Sequence, residues 1–225
     1  MNILKSKGTF FSALVMVAVV FSCKNDGAVE TGSTQGEPLF TVLSSSETGV
    51  DFSNDLEENP LTNHNVLSYQ HYYNGAGVAV GDVNNDGLQD LFFSGNEVPN
   101  RLYLNKGGMK FEDITESAGV NPPNKRWCTG AVFVDINGDG WQDIYVCQYG
   151  PYEPEERRNL LLIHNGDAEN PSYSEHAAEY GLDDPNESMQ AAFFDYDKDG
   201  DLDCYVMNES KYALVVYQEV FEDLK

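Results

Sequence analysis

Residues 77–95 read GVAVGDVNNDGLQDLFFSG, and the same arrangement returns at 131–148 as AVFVDINGDGWQDIYVCQ and at 191–208 as AAFFDYDKDGDLDCYVMN. Each copy runs from small apolar residues through D-x-[ND]-x-D-G-x-x-D into alternating apolar residues. The opening aspartates are Asp82, Asp135 and Asp195, so the repeat spacings are 53 and 60 residues. Self-similarity at this period is the mark of a repeat architecture. Downstream features repeat as well: Arg101-Leu102-Tyr103-Leu104-Asn105 matches Asn159 to Asn165, and Phe111 to Ile114 with Ser117-Ala118-Gly119 matches Tyr173 to His176 with Glu179-Tyr180-Gly181. About four short strands are therefore expected per repeat. The acidic loop joins the first two, a Gly/Asn-rich turn joins the third and fourth, and a helical turn ending at Gly119 or Gly181 leads out.

Four antiparallel strands in about 55 residues is the size of a β-propeller blade. The predicted class is all-β, built of four-stranded antiparallel blades. A β-sandwich is the competing architecture, but it does not predict the same loop at the same place in every repeat. Propellers close with about four to eight blades, whereas residues 39–225 hold about 3.4 units of this length. An incomplete ring of about three blades is expected, belonging to a longer protein or closing by association of copies. The repeats are placed at 39–210, with acidic loops at 82–90, 135–143 and 195–203. A divergent tail at 211–225 lacks the Asn-x-Leu-Tyr strand of the earlier repeats.

Positions 1, 3, 5 and 9 of each loop carry side-chain oxygens. They are Asp82, Asn84, Asp86 and Asp90; Asp135, Asn137, Asp139 and Asp143; and Asp195, Asp197, Asp199 and Asp203. Gly87, Gly140 and Gly200 at position 6 permit the sharp turn that returns position 9 to the others. Leu88, Trp141 and Asp201 at position 7 would each add a backbone carbonyl. About five oxygens per loop suit Ca²⁺, with one or two waters completing a shell of 6–8. Mg²⁺ is less suited because it demands strict octahedral geometry, and Zn²⁺ because no Cys or His enters a loop. An EF-hand begins in the same way but needs a Glu at position 12 and flanking helices. Position 12 here is Phe93, Val146 or Val206, each inside a strand-like run. Without a cation, three or four acidic groups crowd each loop, so the metal is expected to be a folding partner.

These residues resemble the FG-GAP, or VCBS-type, repeat of calcium-binding β-propellers, the blade type also found in integrin α-subunit heads. NRLYLNKGGMKFEDITESAGV and AAFFDYDKDGDLDCYVMN are similar to cartilage-acidic-protein-like, ASPIC/UnbV-associated bacterial surface lipoproteins. The resemblance implies that the twelve side chains above ligate about three Ca²⁺ ions, and that the role is adhesion, glycan binding or service beside a catalytic domain.

The acidic loops sit in an acidic chain. The 225 residues carry 37 Asp and Glu against 13 Lys and Arg, a formal net charge of −24. That balance excludes recognition of nucleic acid through phosphates and docking on anionic lipid through a basic face. A chain that is 41% hydrophobic and 12% aromatic is too rich in core formers for a disordered acidic tail. Ten carboxylates of the excess fall at loop positions 1, 3, 5 and 9. Three Ca²⁺ ions would offset part of the charge, and the rest would solubilise the surface.

Residues 1–22 read as a secretory signal peptide, with Lys5 and Lys7 before an apolar run from Phe10 to Phe21 that is too short to span a bilayer. Cys23 follows Ser22 as in a bacterial lipobox, although Phe21 departs from that pattern, and makes Cys23 the candidate lipidation site. Lys24 rather than Asp at the next position favours an outer-membrane or cell-surface destination. Residues 23–38 are small, polar and glycine-rich and read as a flexible tether. The expected partners are a membrane, through the lipid anchor, and an extracellular protein or glycan. Cys128, Cys147 and Cys204 have no metal-type spacing and read as buried small hydrophobes.

Catalysis is not expected. His64, His71, His164 and His176 are available as bases, but no nucleophile motif or HExxH accompanies them. His64 and His71 read as surface or structural, and His164 and His176 as capping or solvated groups at strand edges. A glycan-binding alternative rests on Tyr69, Tyr72, Tyr73, Trp127, Tyr149 and Tyr152, whose rings could stack on sugars. Strand aromatics such as Phe92 and Tyr145 are assigned to the core instead.

Overall fold

The computed structural model describes residues 39–62, 64–69, 71–121 and 127–209. The signal peptide, Cys23, the tether and the 211–225 tail all lie outside these residues, so the expectations placed on them are not addressed by the fold.

Three acidic hairpins organise the described chain. Strands β1 (Val78–Gly81), β2 (Asp90–Phe93), β3 (Arg101–Asn105) and β4 (Phe111–Asp113) form one antiparallel sheet in sequence order. Strands β5 (Cys128–Val134), β6 (Asp143–Gln148), β7 (Leu160–His164) and β8 (Tyr173–Glu175) form a second of the same topology. β9 (Ser188–Phe194) and β10 (Asp203–Asn208) form a two-stranded third sheet. These are β-propeller blades, two complete and a third represented by its first hairpin. Among the described residues these blades do not close a ring, in line with the count of about three.

Short helical turns close the complete blades. A helical turn α1 (Ser45–Thr48) precedes them, α2 (Thr115–Ala118) follows β4, and α3 (Ala177–Tyr180) follows β8. Gly119 and Gly181 end the latter two at φ 66° and 68°, the left-handed conformation that glycine adopts without a Cβ clash. The same register repeats between blades: Leu91 lies opposite Tyr103 in the first, and Ile144 opposite Leu162 in the second. Asn105 and His164 are therefore equivalent positions. Sequence comparison alone pairs Asn105 with Asn165, one residue further on.

The cores lie between the sheets. Ala79, Phe92, Leu102 and Leu104 of the first blade pack on Ala131, Ile144, Val146 and Leu160 of the second. The opposite face of the second blade, with Tyr145, Cys147 and Leu161, packs on Ala191, Phe193, Cys204 and Val206. The strand alternation expected from sequence thus buries one set of side chains on each face. β1 packs against β5, and β5 against β9. Their approach is close enough that a Cβ on Gly77 would lie 2.5 Å from the Thr129 carbonyl oxygen, and one on Gly130 would lie 2.5 Å from the Met189 carbonyl oxygen.

The described residues of 42–77 before β1 contain no strand, although the repeats were expected from residue 39. They lack the period-two alternation that makes a strand, and instead pack on the first blade. Phe52 stacks on Phe93 at 5.1 Å, the Tyr103 hydroxyl donates to Asp51 at 2.8 Å, and Asn54 exchanges hydrogen bonds with Asn96.

The aromatic residues weighed as a sugar platform are mostly core. Tyr69, Tyr72, Trp127 and Tyr149 form one buried cluster, with Tyr69 stacked on Tyr149 at 4.8 Å. The Tyr152 hydroxyl donates to Glu97 at 2.9 Å, while Tyr73 alone of the six is exposed, at 62%. Packing therefore accounts for Tyr149 and Tyr152 as well. Their loop folds back on Trp127, with Gly150 at φ 92° so near that a Cβ would sit 2.7 Å from the indole Cγ.

Candidate metal centre

Every acidic loop connects the two strands of a hairpin, β1 to β2, β5 to β6 and β9 to β10, so all three lie at equivalent ends of their sheets. The first two agree bond for bond. Asp82 Oδ1 accepts from the Asp86 amide at 3.1 Å and Oδ2 from the Gly87 amide at 2.8 Å; Asp135 accepts from Asp139 at 3.0 Å and Gly140 at 2.9 Å. The Asn84 side-chain amide donates to Asp86 Oδ2 at 3.0 Å, and that of Asn137 to Asp139 Oδ2 at 2.9 Å. Asp86 Oδ1 accepts from the Leu88 amide at 2.8 Å, and Asp139 Oδ1 from the Trp141 amide at 2.9 Å. Those bonds set the peptide turn from position 6 into position 7. Gly87, Gly140 and Gly200 take φ of 85°, 88° and 100°, as the position-6 turn requires.

Position 9 has a second role that the loop pattern does not announce. Asp90 and Asp143 are completely buried. Asp90 accepts from the Val83 amide at 2.8 Å and from the Asn105 amide of β3 at 2.7 Å. Asp143 accepts from Ile136 at 3.1 Å and from His164 of β7 at 2.8 Å. Each carboxylate therefore pins its loop to the third strand of its own blade. Burial pushes both carboxyls above the usual range, the backbone donors act against that shift, and the neighbouring loop aspartates add to it. No basic side chain pairs with any loop acid among the described residues. A buried carboxylate facing two more without a counter-charge is unfavourable by itself.

In the third loop Asp203 Oδ2 accepts from the Tyr196 amide at 2.7 Å. Asp195 Oδ1 accepts from Lys198, at 2.6 Å, rather than from position 5. Asp195, Asp197 and Asp203 bring ligand atoms within 4.8 Å of one another. This is the one such group of three acids among the described residues; the other loops carry Asn84 and Asn137 at position 3. Asp199 and Asp201 share a hydrogen bond that holds the Asp199 carboxyl low and raises that of Asp201. The donor set fits a hard divalent cation: all oxygen, rich in carboxylate, and without a competing base.

Two features around the loops escaped sequence reading. Asn85, at position 4 with φ 56°, extends its side-chain amide to the Gly140 carbonyl of the next loop at 3.1 Å. His164 is buried rather than solvated and stacks on the Trp141 ring at 4.8 Å and 2°. Its Nδ1 accepts from the Gly166 amide at 2.8 Å, and burial lowers its basicity. The remaining histidines are structural or exposed, as expected. His64 pairs with Glu97, His71 Nε2 lies 3.1 Å from Glu209, and the His176 ring hydrogen-bonds the side chains of Ser174 and Glu179. Cys128 and Cys147 are buried, Cys204 is half-buried, and none forms a disulfide.

Blades of this topology carrying an acidic loop in the first hairpin define a class of repeat protein, and residues 82–146 match the FG-GAP-like repeat family. Cartilage acidic protein 1 of Xenopus tropicalis is 30% identical over 142 residues, covering 63% of this chain and 21% of that protein. The Homo sapiens protein of the same name is 30% identical over 142 residues, covering 61% and 20%. Integrin alpha-8 of Gallus gallus is 34% identical over 107 residues, covering 42% of this chain and 10% of that protein. The chain thus spans about a fifth of the length of the cartilage acidic proteins it matches. Among the described residues no helix is long and apolar enough to cross a membrane.

Proposed function

We propose that the chain is a non-catalytic, Ca²⁺-stabilised β-propeller module that acts outside the cell in adhesion or ligand binding. The observation that carries this reading is the buried, uncompensated carboxylate at position 9 of the first two loops, set among further oxygens from positions 1, 3 and 5. Asp82, Asn84, Asp86 and Asp90 would hold one ion, and Asp135, Asn137, Asp139 and Asp143 a second. Asp195, Asp197, Asp199 and Asp203 would hold a third, and the carbonyls of Leu88, Trp141 and Asp201 complete the protein ligands. When bound, each ion supplies positive charge that offsets the loop carboxylates and locks the hairpin. Similarity to integrin alpha-8 supports an extracellular binding role. Lipidation of Cys23 would tether the module at the outer membrane or cell surface, with residues 24–38 as the spacer.

A protein ligand is favoured over a glycan because four of the six rings considered for sugar stacking, Tyr69, Tyr72, Trp127 and Tyr149, are buried in one cluster. Calorimetric melting with and without excess chelator tests the metal reading. The expected result is a melting temperature lowered by several degrees in chelator and restored by Ca²⁺, with bound calcium found by elemental analysis. An unchanged melting temperature and no bound calcium would sink it.

A further inference from the structure

We infer that the first and second acidic loops are coupled cation sites, joined through the Asn85 side chain, and that the third loop is independent of them. The inference rests on the reading of the loops as cation sites. Its basis is one peptide group held from both sides. The Gly140 carbonyl and the Trp141 amide belong to the same peptide plane. The amide donates to Asp139 of its own loop at 2.9 Å, and the carbonyl accepts from Asn85 of the preceding loop at 3.1 Å. That plane leads directly into position 7, whose carbonyl would be a ligand of the second site. Trp141 is clamped further by its stack on His164, and the His164 amide donates to Asp143 at position 9.

Asn85 itself stands between Asn84 and Asp86, two ligand positions of the first loop, and its φ of 56° belongs to the left-handed region that asparagine tolerates. An ion that closes the first loop fixes Asn85 and hence the orientation of the Gly140–Trp141 peptide. The second loop is then partly organised before its own ion arrives. Linkage makes the effect reciprocal, so each ion favours the other.

Among the described residues the second loop makes no equivalent bond to the third. Gly138 occupies position 4 there and has no side chain. One hydrogen bond of ordinary net worth corresponds to a coupling of about fivefold in affinity.

The chain supplies its own reporter. It has two tryptophans, Trp127 and Trp141, and Trp141 is position 7 of the second loop, while Trp127 sits at the other end of β5. Tb³⁺ is the probe, its emission sensitised by Trp141 reporting occupancy of the second loop. The wild-type signal is expected to rise with a Hill coefficient above one. Asp86→Asn in the first loop should weaken Tb³⁺ at the second severalfold, and Asp197→Asn in the third should not.

Asn85→Gly is the decisive variant, because glycine accepts φ 56° without strain and removes only the side-chain amide. It should shift the midpoint by about fivefold and bring the Hill coefficient to one, with the melting temperature in chelator unchanged. A midpoint unmoved by Asn85→Gly overturns the coupling while leaving the cation sites intact. So does a shift matched by an equal fall in chelator stability, since that marks general destabilisation. No sensitised emission together with no calcium uptake overturns the reading of the loops themselves.

Discussion

At the scale of single residues, position 9 carries more than one duty. Asp90 and Asp143 satisfy two backbone amides each, in a fully buried setting. Asp143→Ala strands the Ile136 and His164 amides, and should cost about 2–5 kcal/mol in denaturant unfolding even with chelator present. Asp139→Asn changes an exposed side chain and should leave the chelated protein within about 0.5 kcal/mol of wild type. A contrast in the chelated state separates the pinning role from the ligand role. The Cys147 thiol is pushed up to about 12, chiefly by burial. Because the thiolate is the reactive form and forms only as pH approaches that value, Cys147 should resist iodoacetamide at pH 8 in the folded protein. Mass spectrometry should find it alkylated only after denaturation, and Cys204, which is half-buried, labelled first.

At the scale of elements, the hairpins were legible in the sequence because their chemistry is local. Nine consecutive residues hold the loop, and period-two alternation declares the strands on either side. What escaped depends on contacts between distant residues. The second donor to Asp90 comes from Asn105 on β3, and that bond is visible only once strand register is known. The aromatic cluster joins Tyr69, Trp127 and Tyr149 across three segments, so a reading along the chain leaves each ring without a neighbour. The described residues of 42–77 lack any period because the surface of the blades they pack on, rather than their own alternation, sets their path. Asn100 and Asn159 mark the entry to the third strand by accepting from the Gly95 amide at 3.0 Å and the Gln148 amide at 2.7 Å. Their shared place before an apolar run was the available signal. The close approach of neighbouring blades is likewise invisible in sequence, yet it fixes Gly130. Gly130→Ala would drive a Cβ against Gln190 Oε1 and the Met189 carbonyl, the latter at 2.5 Å, and should cost about 1–3 kcal/mol by thermal unfolding.

At the scale of the whole molecule, two sheet faces have no blade on them among the described residues. On the first blade Val78 and Val80 are each 55% exposed, and on the third hairpin Phe194, Tyr205 and Met207 are all open to solvent. Apolar strands with an unpaired edge favour association. Sedimentation should therefore show concentration-dependent self-association of this chain, and Tyr205→Lys with Met207→Lys should reduce it without altering chelator sensitivity. The confinement of each acidic site to one hairpin has a further consequence. A duplicated hairpin takes its complete ligand set with it, so copies can be added to a chain without any site having to be reassembled from separate parts. Divergence between copies is then free wherever a residue looks outward from its own loop. Position 4 is such a place, and it holds Asn85, Gly138 and Lys198 in turn. Communication between neighbouring copies is the one property that duplication does not hand on.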